Sequence, residues 1–217
     1  MGKSVKIAFQ GRKSRGMDVV QLAARRQIIY LSKDEVERFF AAIPKDNTRD
    51  RLLFEMIYRY GLRRREAALL RREHISERIW ITRLKGGVSG EYPIHPTTRR
   101  LLWQHESEPR AGTRSPYLFF TRQSGTKPLS PSTIYGHFRQ YAEAGGIPRE
   151  RQHPHVLRHS IATHLLDAGW DIADVQDWIG HADIKSTQVY AKVTNKRRET
   201  RYAESLSSDA IAANDAS

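Results

Sequence analysis

The fold class of this chain follows from residues 153–190, HPHVLRHSIATHLLDAGWDIADVQDWIGHADIKSTQVY. Apolar residues recur there at the three- and four-residue spacing of a helix that buries one face. One stripe comprises Leu157, Ile161 and Leu165, and a second, after Asp171, comprises Val175, Trp178 and Ile179. The segment therefore predicts amphipathic helices and a C-terminal part that is helical as far as the tail.

Helical spacing also marks the segment that begins near residue 31. Ser32, with Glu35 three residues later, forms a capping-box pattern, which predicts a first helix over about residues 33–43. Its apolar stripe comprises Val36, Phe39, Phe40 and Ile43. A second amphipathic helix, which ends at Gly61, contains Leu52, Leu53, Met56, Ile57 and Tyr60. Two helices that pack through these stripes would start the core.

Three more helices are predicted between residues 61 and 146. The segment GLRRREAALLRREHI, residues 61–75, predicts a helix with Arg-rich positions on one side. Its apolar side comprises Ala67, Leu69 and Leu70. Residues 96–104 predict another helix, and residues 131–144 a third, because Pro131 suits a helix start and Gly145-Gly146 a helix end.

The segment ERIWITRLKGGVSGEYPIHP, residues 77–96, changes from helical spacing to an alternation of period two. β-Branched and aromatic residues are interrupted by Gly86, Gly87 and Gly90, which predicts a small antiparallel β-ribbon. The apolar run YLFFT at residues 117–121 predicts a buried strand. The predicted fold class is therefore mainly α with a small antiparallel β-ribbon, an α+β domain.

Charge points to a polyanionic partner. The chain of 217 residues has 37 Lys and Arg against 24 Asp and Glu, so its net charge is +13. Clustered cations attract phosphate and release its counterions, which favours nucleic acid over an anionic membrane surface, since no basic amphipathic helix stands out. A merely soluble basic protein is the alternative. The chain lacks cysteine and apolar runs near 18 residues, which excludes thiolate chemistry and a transmembrane helix. The first residues, MGKSVKIAFQGRKSRG, contain no apolar stretch of a secretory signal, so a cytoplasmic location is expected.

The densest group of chemically active residues is HPHVLRHSIATH, residues 153–164. His155 and Arg158 lie three residues apart on a predicted helix, which places a proton-transfer group beside a guanidinium suited to phosphate oxygens. Each residue alone could equally be a hydrogen-bonded structural histidine or a solvated arginine. A metal site is disfavoured because no HExxH pattern or nearby acidic ligand completes the histidines. GxSxG and P-loop patterns are also lacking.

Four separated motifs together resemble the tyrosine recombinase, or lambda-integrase, family. Residues 155–159 match H-x-x-R-H, and a Gly180-His181 pair precedes Tyr190 by nine residues. Upstream, residues 61–66, GLRRRE, match G-L-R-x-x-E, and LKGG in the ribbon matches the hairpin lysine. The resemblance covers roughly residues 31–193. The short, catalytic-domain-only form is especially similar to the fimbrial phase-switch invertases.

The resemblance implies a set of site residues. They are the catalytic Arg63, Lys85, His155, Arg158, His181 and Tyr190, with Glu66 in support. Tyr190 would attack a DNA phosphodiester and leave a 3′-phosphotyrosyl link and a free 5′-hydroxyl. The two arginines would bind the non-bridging oxygens, the lysine would protonate the leaving oxygen, and the histidines would assist proton transfer. Glu66 would orient the site. No cofactor and no metal are implied.

The resemblance also implies a domain organisation and partners. Residues 1–28 would be a basic flexible arm, residues 29–193 the catalytic domain, and residues 194–217 a C-terminal tail that could be exchanged between protomers. The implied partner is duplex DNA with an inverted-repeat site, bound by a homotetramer on two sites. Accessory DNA-bending proteins and an association with the nucleoid would fit such a system.

The expected activity is site-specific recombination, with inversion favoured over integration or excision by the likeness to invertases. A tyrosine-dependent topoisomerase or resolvase would use the same chemistry. A catalytically silent DNA-binding regulator would keep the fold, although every catalytic-type position is filled. Without the motifs, Tyr190 would be a core aromatic, Lys85 a solvated turn residue and Glu66 a first-turn helix acid.

Overall fold

The computed structural model describes residues 29–108, 115–121, 125–180 and 202–203. Within these ranges lie seven α-helices, a two-stranded sheet and two 3-10 turns, at Arg72–His74 and Arg149–Arg151. The helices are α1 Lys33–Ala41, α2 Thr48–Arg59, α3 Arg64–Ala68, α4 Pro96–Ser107, α5 Pro131–Ala144, α6 His155–Asp167 and α7 Ile172–Ile179. The strands, β1 Arg78–Ile81 and β2 Gly90–Pro93, pair antiparallel. The predicted fold class is confirmed.

The first two helices begin where the sequence predicts a cap. The Ser32 hydroxyl accepts a hydrogen bond from the Glu35 N–H at 3.2 Å, and the Glu35 carboxylate accepts from the Ser32 N–H at 2.8 Å, so the capping box is confirmed. Asn47 caps α2 by accepting from the Asp50 N–H at 3.2 Å. The chain leaves α2 through Gly61, whose φ of +57° is a left-handed conformation that favours glycine.

Helix α2 lies at the centre of the domain and packs against α3, α4 and α6, while α1 packs against α5. The rings of Phe39, Phe54 and Phe138 join α1, α2 and α5, with Phe39 and Phe138 stacked at 4.6 Å between centroids. A second apolar cluster fills the contact between α6 and α7 and comprises Ile161, Ala162, Leu166, Val175 and Ile179. The predicted stripes of these helices therefore supply the core.

Two local predictions are wrong. The helix predicted after Gly61 is only five residues long and is followed by a 3-10 turn, and Leu69, expected on its apolar side, is 45% exposed. Residues 117–121 do not form a strand. Leu118 and Phe119 are buried, but the segment makes only isolated bridges, Arg71 with Tyr117 and Phe120 with Pro128. No sheet edge in the described residues lies alongside this segment to pair its full length.

The β-ribbon is confirmed and has one buried face. Ile79 pairs with Tyr92, and both side chains point into the core, while Trp80 on the opposite face is 44% exposed. The loop between the strands carries Lys85. No helix among the described residues is long and apolar enough to cross a membrane. The predicted arm, residues 1–28, and the predicted tail, apart from residues 202–203, lie outside the described residues.

Candidate active site

The turn after α2 brings together arginines that are distant in the sequence. The Gly61 carbonyl accepts a hydrogen bond from Nη1 of Arg158, which lies in α6, and a second, at 3.4 Å, from Nη1 of Arg83. Arg63 follows two residues later and precedes the first turn of α3. One backbone carbonyl therefore sets where Arg158 lies relative to Arg63.

Glu66 is the anionic centre of this group. Its side chain is 1% exposed, and its carboxylate accepts hydrogen bonds from the Arg63 N–H at 2.9 Å and from Arg63 Nη1 at 2.6 Å. It also accepts from the Leu84 N–H at 3.1 Å and from Arg83 Nη1 at 3.3 Å. Burial by itself raises the pKa of Glu66, but these hydrogen bonds and the charge of Arg83 outweigh burial and lower the pKa below its ordinary value. Glu66 is therefore a carboxylate at neutral pH.

Lys85 is held next to this centre by the residue before it. The Leu84 N–H donates to Glu66, and the Leu84 carbonyl accepts from Arg63 Nη1 at 3.3 Å. Lys85 itself is exposed and adopts a φ of +58° at the tip of the loop. A non-glycine residue in this conformation is uncommon, so the anchored backbone rather than local preference fixes where the lysine lies.

The first turns of α6 carry the predicted histidine and arginine. Arg158 is 1% exposed, and the ring of His155 lies edge-on to that of His159 with 4.5 Å between the centroids. Desolvation of the ring contributes most to lowering the pKa of His155 to about 3, and the charges of Arg158 and Arg63 add to it. Desolvation and the charge of Arg158 also lower the pKa of His159, to about 4. Both imidazoles are therefore neutral at pH 7.

The end of α7 contacts Arg83 and the end of α2 through Trp178. The Trp178 carbonyl accepts from Arg83 Nη2 at 2.7 Å, and the Trp178 indole donates to the Arg59 carbonyl at 2.9 Å. The helix ends at Gly180, with a φ of +65°. Two of the predicted residues, His181 and Tyr190, lie outside the described residues.

The structure thus brings Arg63, Lys85, Arg158 and Glu66 to one turn, with His155 near enough for the charge of Arg63 to act on it. The sequence motifs do not single out Arg83. The sequence nevertheless contains a signal that Arg83 is buried, because the period-two pattern places it on the same face as the buried Ile79 and Ile81. The described residues contain no group of three His, Asp or Glu side chains that could hold a metal ion.

The sequence and the fold both match known recombinases. The sequence model of the phage integrase family matches residues 30–197. The tyrosine recombinase XerA of Pyrococcus furiosus is 38% identical over 168 residues, which cover 76% of this chain and 58% of that protein. The tyrosine recombinase XerD of Caulobacter vibrioides is 34% identical, with the same two coverages. The chain thus spans about three fifths of the length of these relatives.

Solved structures give the same result. A crystal structure of XerA recombinase superposes with a TM-score of 0.70 at 26% identity, covering 85% of this chain and 68% of that one. The XerH site-specific recombinase bound to difH substrate superposes with a TM-score of 0.65 at 25% identity, covering 75% of this chain and 50% of that one. The family match extends over most of the chain, and the chain therefore belongs to the phage integrase family of tyrosine recombinases.

Proposed function

We propose that this chain cleaves and rejoins duplex DNA at specific sites through a 3′-phosphotyrosyl intermediate. The observation that carries the proposal is the turn at Gly61, where the chain places Arg63 beside Arg158 and, through Glu66 and Leu84, beside the loop of Lys85. Two guanidinium groups and one ammonium group carried by these neighbouring segments would suit a phosphate whose negative charge grows in the transition state.

The two arginines differ in how they are held. Arg158 is almost fully buried, whereas the Arg63 side chain is 24% exposed and donates from Nη1 to Glu66 and to the Leu84 carbonyl. Among the described residues, Nε and Nη2 of Arg63 have no hydrogen-bond acceptor. These N–H groups are therefore available for the non-bridging oxygens of a DNA phosphate.

The reaction is a transesterification in which bonds balance without an external energy source. The Tyr190 oxygen forms a bond to phosphorus, and the bond from phosphorus to the 5′-oxygen breaks. Lys85 would give its proton to that leaving oxygen, and the phenol proton would pass to a neutral imidazole, a role open to His155 or His181. The phosphotyrosyl ester keeps the bond energy for rejoining, when the 5′-hydroxyl attacks and the tyrosine leaves.

The partner in this proposal is duplex DNA. The net charge of +13 and the exposed arginines at positions 64 and 65, directly after Arg63, support phosphate contacts on the face of the site. A XerH recombinase is described with its difH substrate in a pre-cleavage and, on a palindromic site, a post-cleavage complex. For the present chain we infer an inverted-repeat site. The basic arm, residues 1–28, would add contacts outside the catalytic domain.

Strand exchange between two duplexes requires four cleavages, so the proposal includes a homotetramer on two sites, with residues 194–217 exchanged between protomers. Inversion is the outcome we favour, because the motifs resemble those of short invertases. A topoisomerase would relax supercoils without joining two sites. Product topology therefore separates recombination from relaxation.

The test uses a nicked suicide duplex that carries a candidate inverted repeat. The duplex loses a short fragment on cleavage, which traps the protein on DNA, and denaturing electrophoresis then detects the covalent adduct. The full chain should form an adduct, and Tyr190→Phe should form none while its DNA affinity stays within about threefold, because phosphate contacts dominate the affinity. Tyr135→Phe, which removes the hydroxyl of a tyrosine that is 38% exposed, is the matched control and should keep the adduct. Full binding without an adduct would overturn cleavage and favour a silent DNA-binding regulator.

A further inference from the structure

Arg83 is a fully buried cation with an unusual number of contacts. Its side chain is 0% exposed, although it follows the strand β1 by only two residues and precedes Lys85 by two. The guanidinium carbon lies 5.3 Å from the centre of the Tyr92 ring, and Nη2 lies 3.1 Å from the Tyr92 hydroxyl oxygen. A buried guanidinium costs free energy unless its N–H groups are satisfied. Nη1 and Nη2 of Arg83 have acceptors, and these partners indicate why the residue is there.

Those partners are backbone carbonyls of two segments that carry site residues. Nη2 lies 2.9 Å from the Tyr60 carbonyl oxygen and 2.7 Å from that of Trp178, and Nη1 lies 3.4 Å from that of Gly61. Tyr60 and Gly61 lead into Arg63, and Trp178 lies three residues before the predicted His181. One side chain thus connects the turn after α2 to the end of α7.

The aliphatic stem of the Arg83 side chain also explains why positions 87 and 180 are glycine. A Cβ atom on Gly180 would lie 2.6 to 2.9 Å from the Nε, Cδ and Cγ atoms of Arg83. A Cβ atom on Gly87 would lie 2.7 Å from the Gly180 carbonyl oxygen and 2.9 Å from the Cβ atom of Arg83. The loop of Lys85 and the end of α7 therefore meet on the stem of this arginine with no room for another side chain.

Charge links Arg83 to Arg63 as well. Nη1 of Arg83 lies 3.3 Å from Oε2 of Glu66, and Nη1 of Arg63 lies 2.6 Å from Oε1 of the same carboxylate. Because Arg83 satisfies one oxygen from the buried side, Arg63 needs to engage Glu66 with only one nitrogen. Its Nε and Nη2 have no acceptor among the described residues, which leaves them for a phosphate.

We propose that Arg83 is a positioning residue, which sets the mutual placement of Arg63, Lys85 and the end of α7. The proposal rests on the proposed function of DNA cleavage. Arg83 touches neither substrate nor the reacting atoms; it acts through the two carbonyl-bearing segments and through Glu66. A lysine at this position would keep the charge but has a single nitrogen, which cannot reach acceptors on both sides of the guanidinium.

The principal test compares Arg83→Lys with Arg78→Lys, an exposed arginine on the same ribbon whose side chain is 51% exposed. Adduct formation on the suicide duplex is measured under single-turnover conditions, below the unfolding temperature of each variant. Arg83→Lys should lower the rate about 10- to 100-fold, the expected cost of displacing catalytic groups by about 1 Å, with DNA affinity within about threefold. Arg78→Lys should match the unmodified chain.

A second substrate distinguishes positioning from general loss of structure. With sulfur in place of the bridging 5′-oxygen, the leaving group no longer needs a proton from Lys85. The rate defect of Arg83→Lys should then shrink by roughly tenfold, because general acid catalysis contributes at least that much. A defect of equal size on both substrates, or no defect on either, would overturn the placement of Lys85 by Arg83.

Hydrogen–deuterium exchange tests the inference independently of cleavage. In Arg83→Lys, peptides that contain residues 60–66, 83–87 and 178–180 should exchange faster than in the unmodified chain, while peptides of α1 and α5 should not change. Unchanged exchange in all three peptides would overturn the inference even for a chain that cleaves. Absence of an adduct from the unmodified chain would instead count against the proposed function and leave the exchange result to decide the role of Arg83.

Discussion

Two buried carboxylates, Glu66 and Asp50, organise different regions of this molecule. Each side chain is 1% exposed. Asp50, in the first turn of α2, accepts hydrogen bonds from the Tyr141 hydroxyl at 2.7 Å and from Arg49 Nε at 2.8 Å, and lies 3.0 Å from His137 Nδ1. Tyr141 and His137 belong to α5, so Asp50 joins two helices just as Glu66 joins α3 to the ribbon loop.

The two carboxylates differ in the roles of the residues that bind them. Burial raises the pKa of Asp50, but its hydrogen bonds and the charge of Arg49 outweigh burial and hold that pKa well below the ordinary range. The partners of Asp50 serve α2 and α5, and none of them is a predicted catalytic residue. Glu66 binds Arg63, whose Nε and Nη2 have no acceptor in the part of the chain that the structure describes. Burial and a lowered pKa therefore do not by themselves identify a functional carboxylate. The distinguishing feature is a partner residue that still has N–H groups with which to bind a ligand.

The largest expected effect separates the two carboxylates directly. Glu66→Gln and Asp50→Asn should each lower the free energy of unfolding by about 3 kcal/mol, because each leaves buried partners without their counter-charge. Only Glu66→Gln should also lower the single-turnover rate of adduct formation, by about 10- to 100-fold, since Arg63 and the loop of Lys85 lose their shared anchor. Chemical denaturation and the suicide duplex measure the two quantities.

If folded Asp50→Asn cleaves as slowly as Glu66→Gln, the two carboxylates do not differ in their effect on the site. Both would then act on cleavage through the fold as a whole. Measurements at a temperature where both variants are more than nine-tenths folded keep stability out of the rates. Asp46→Asn, which alters an exposed carboxylate beside α2, serves as the unaffected control.

A smaller effect is expected from glycines of the same two regions. Gly61 and Gly146 have φ angles of +57° and +65°, so alanine at either position costs about 1 to 2 kcal/mol in backbone strain. A Cβ atom on Gly61 would also lie 2.8 Å from Cγ2 of Ile179, whereas one on Gly146 would meet nothing within 4 Å. Gly61→Ala should therefore be less stable than Gly146→Ala by about 1 to 3 kcal/mol.

Thermal unfolding followed by circular dichroism gives the stability difference, and the suicide duplex gives the rate. Gly61→Ala should cleave more slowly than Gly146→Ala, because its carbonyl positions Arg158. Equal stability and equal rates for the two variants would show that the turn adapts to a side chain and does not fix the arginines.

The smallest effect concerns acid stability. Because the pKa of Asp50 is lower in the folded chain than in the unfolded chain, its contribution is present above the unfolded value of 3.8 and is lost as the pH falls through the folded value. Asp50→Asn should make the fall in stability below pH 4 shallower, by up to about 1.4 kcal/mol per pH unit, whereas Asp46→Asn should not. Urea denaturation from pH 5 to pH 2.5 measures the slopes; parallel slopes for all three proteins would contradict a retained charge at Asp50.

Much of the fold could be predicted because the signals are local. The Ser32 capping box, Gly61 at the end of α2 and Pro131 at the start of α5 depend on a few neighbouring residues, and all three appear as predicted. Leu69 was misplaced because the helix after Gly61 ends at Ala68, so helical spacing no longer applies to it. Leu118 and Phe119 of the YLFFT run are buried as expected, but the run makes isolated bridges and no strand pairing within the described residues, and no local pattern can supply a strand partner.

The candidate site likewise contains residues that the sequence predicts and one that only the tertiary contacts identify. The motifs of the family identify Arg63, Lys85, His155 and Arg158 as residue types at fixed spacings. In the structure Arg158 binds the Gly61 carbonyl, and Arg63 binds the carbonyl of Leu84, the residue before Lys85. Arg83 belongs to none of those motifs. Its importance lies in contacts with Gly61, Trp178 and Glu66, which come from three separate segments of the chain.

By itself, the sequence determined most of the helices, the ribbon, the family and the candidate site residues, because periodicity, caps and motif spacing are properties of short segments. Only the tertiary structure decided which groups share a partner. The meeting of Arg158 with Gly61 and of Arg83 with Trp178 spans about half the chain, and no local preference specifies it. Close packing in the core fixes those distances, and with them the arrangement on which the proposed chemistry depends.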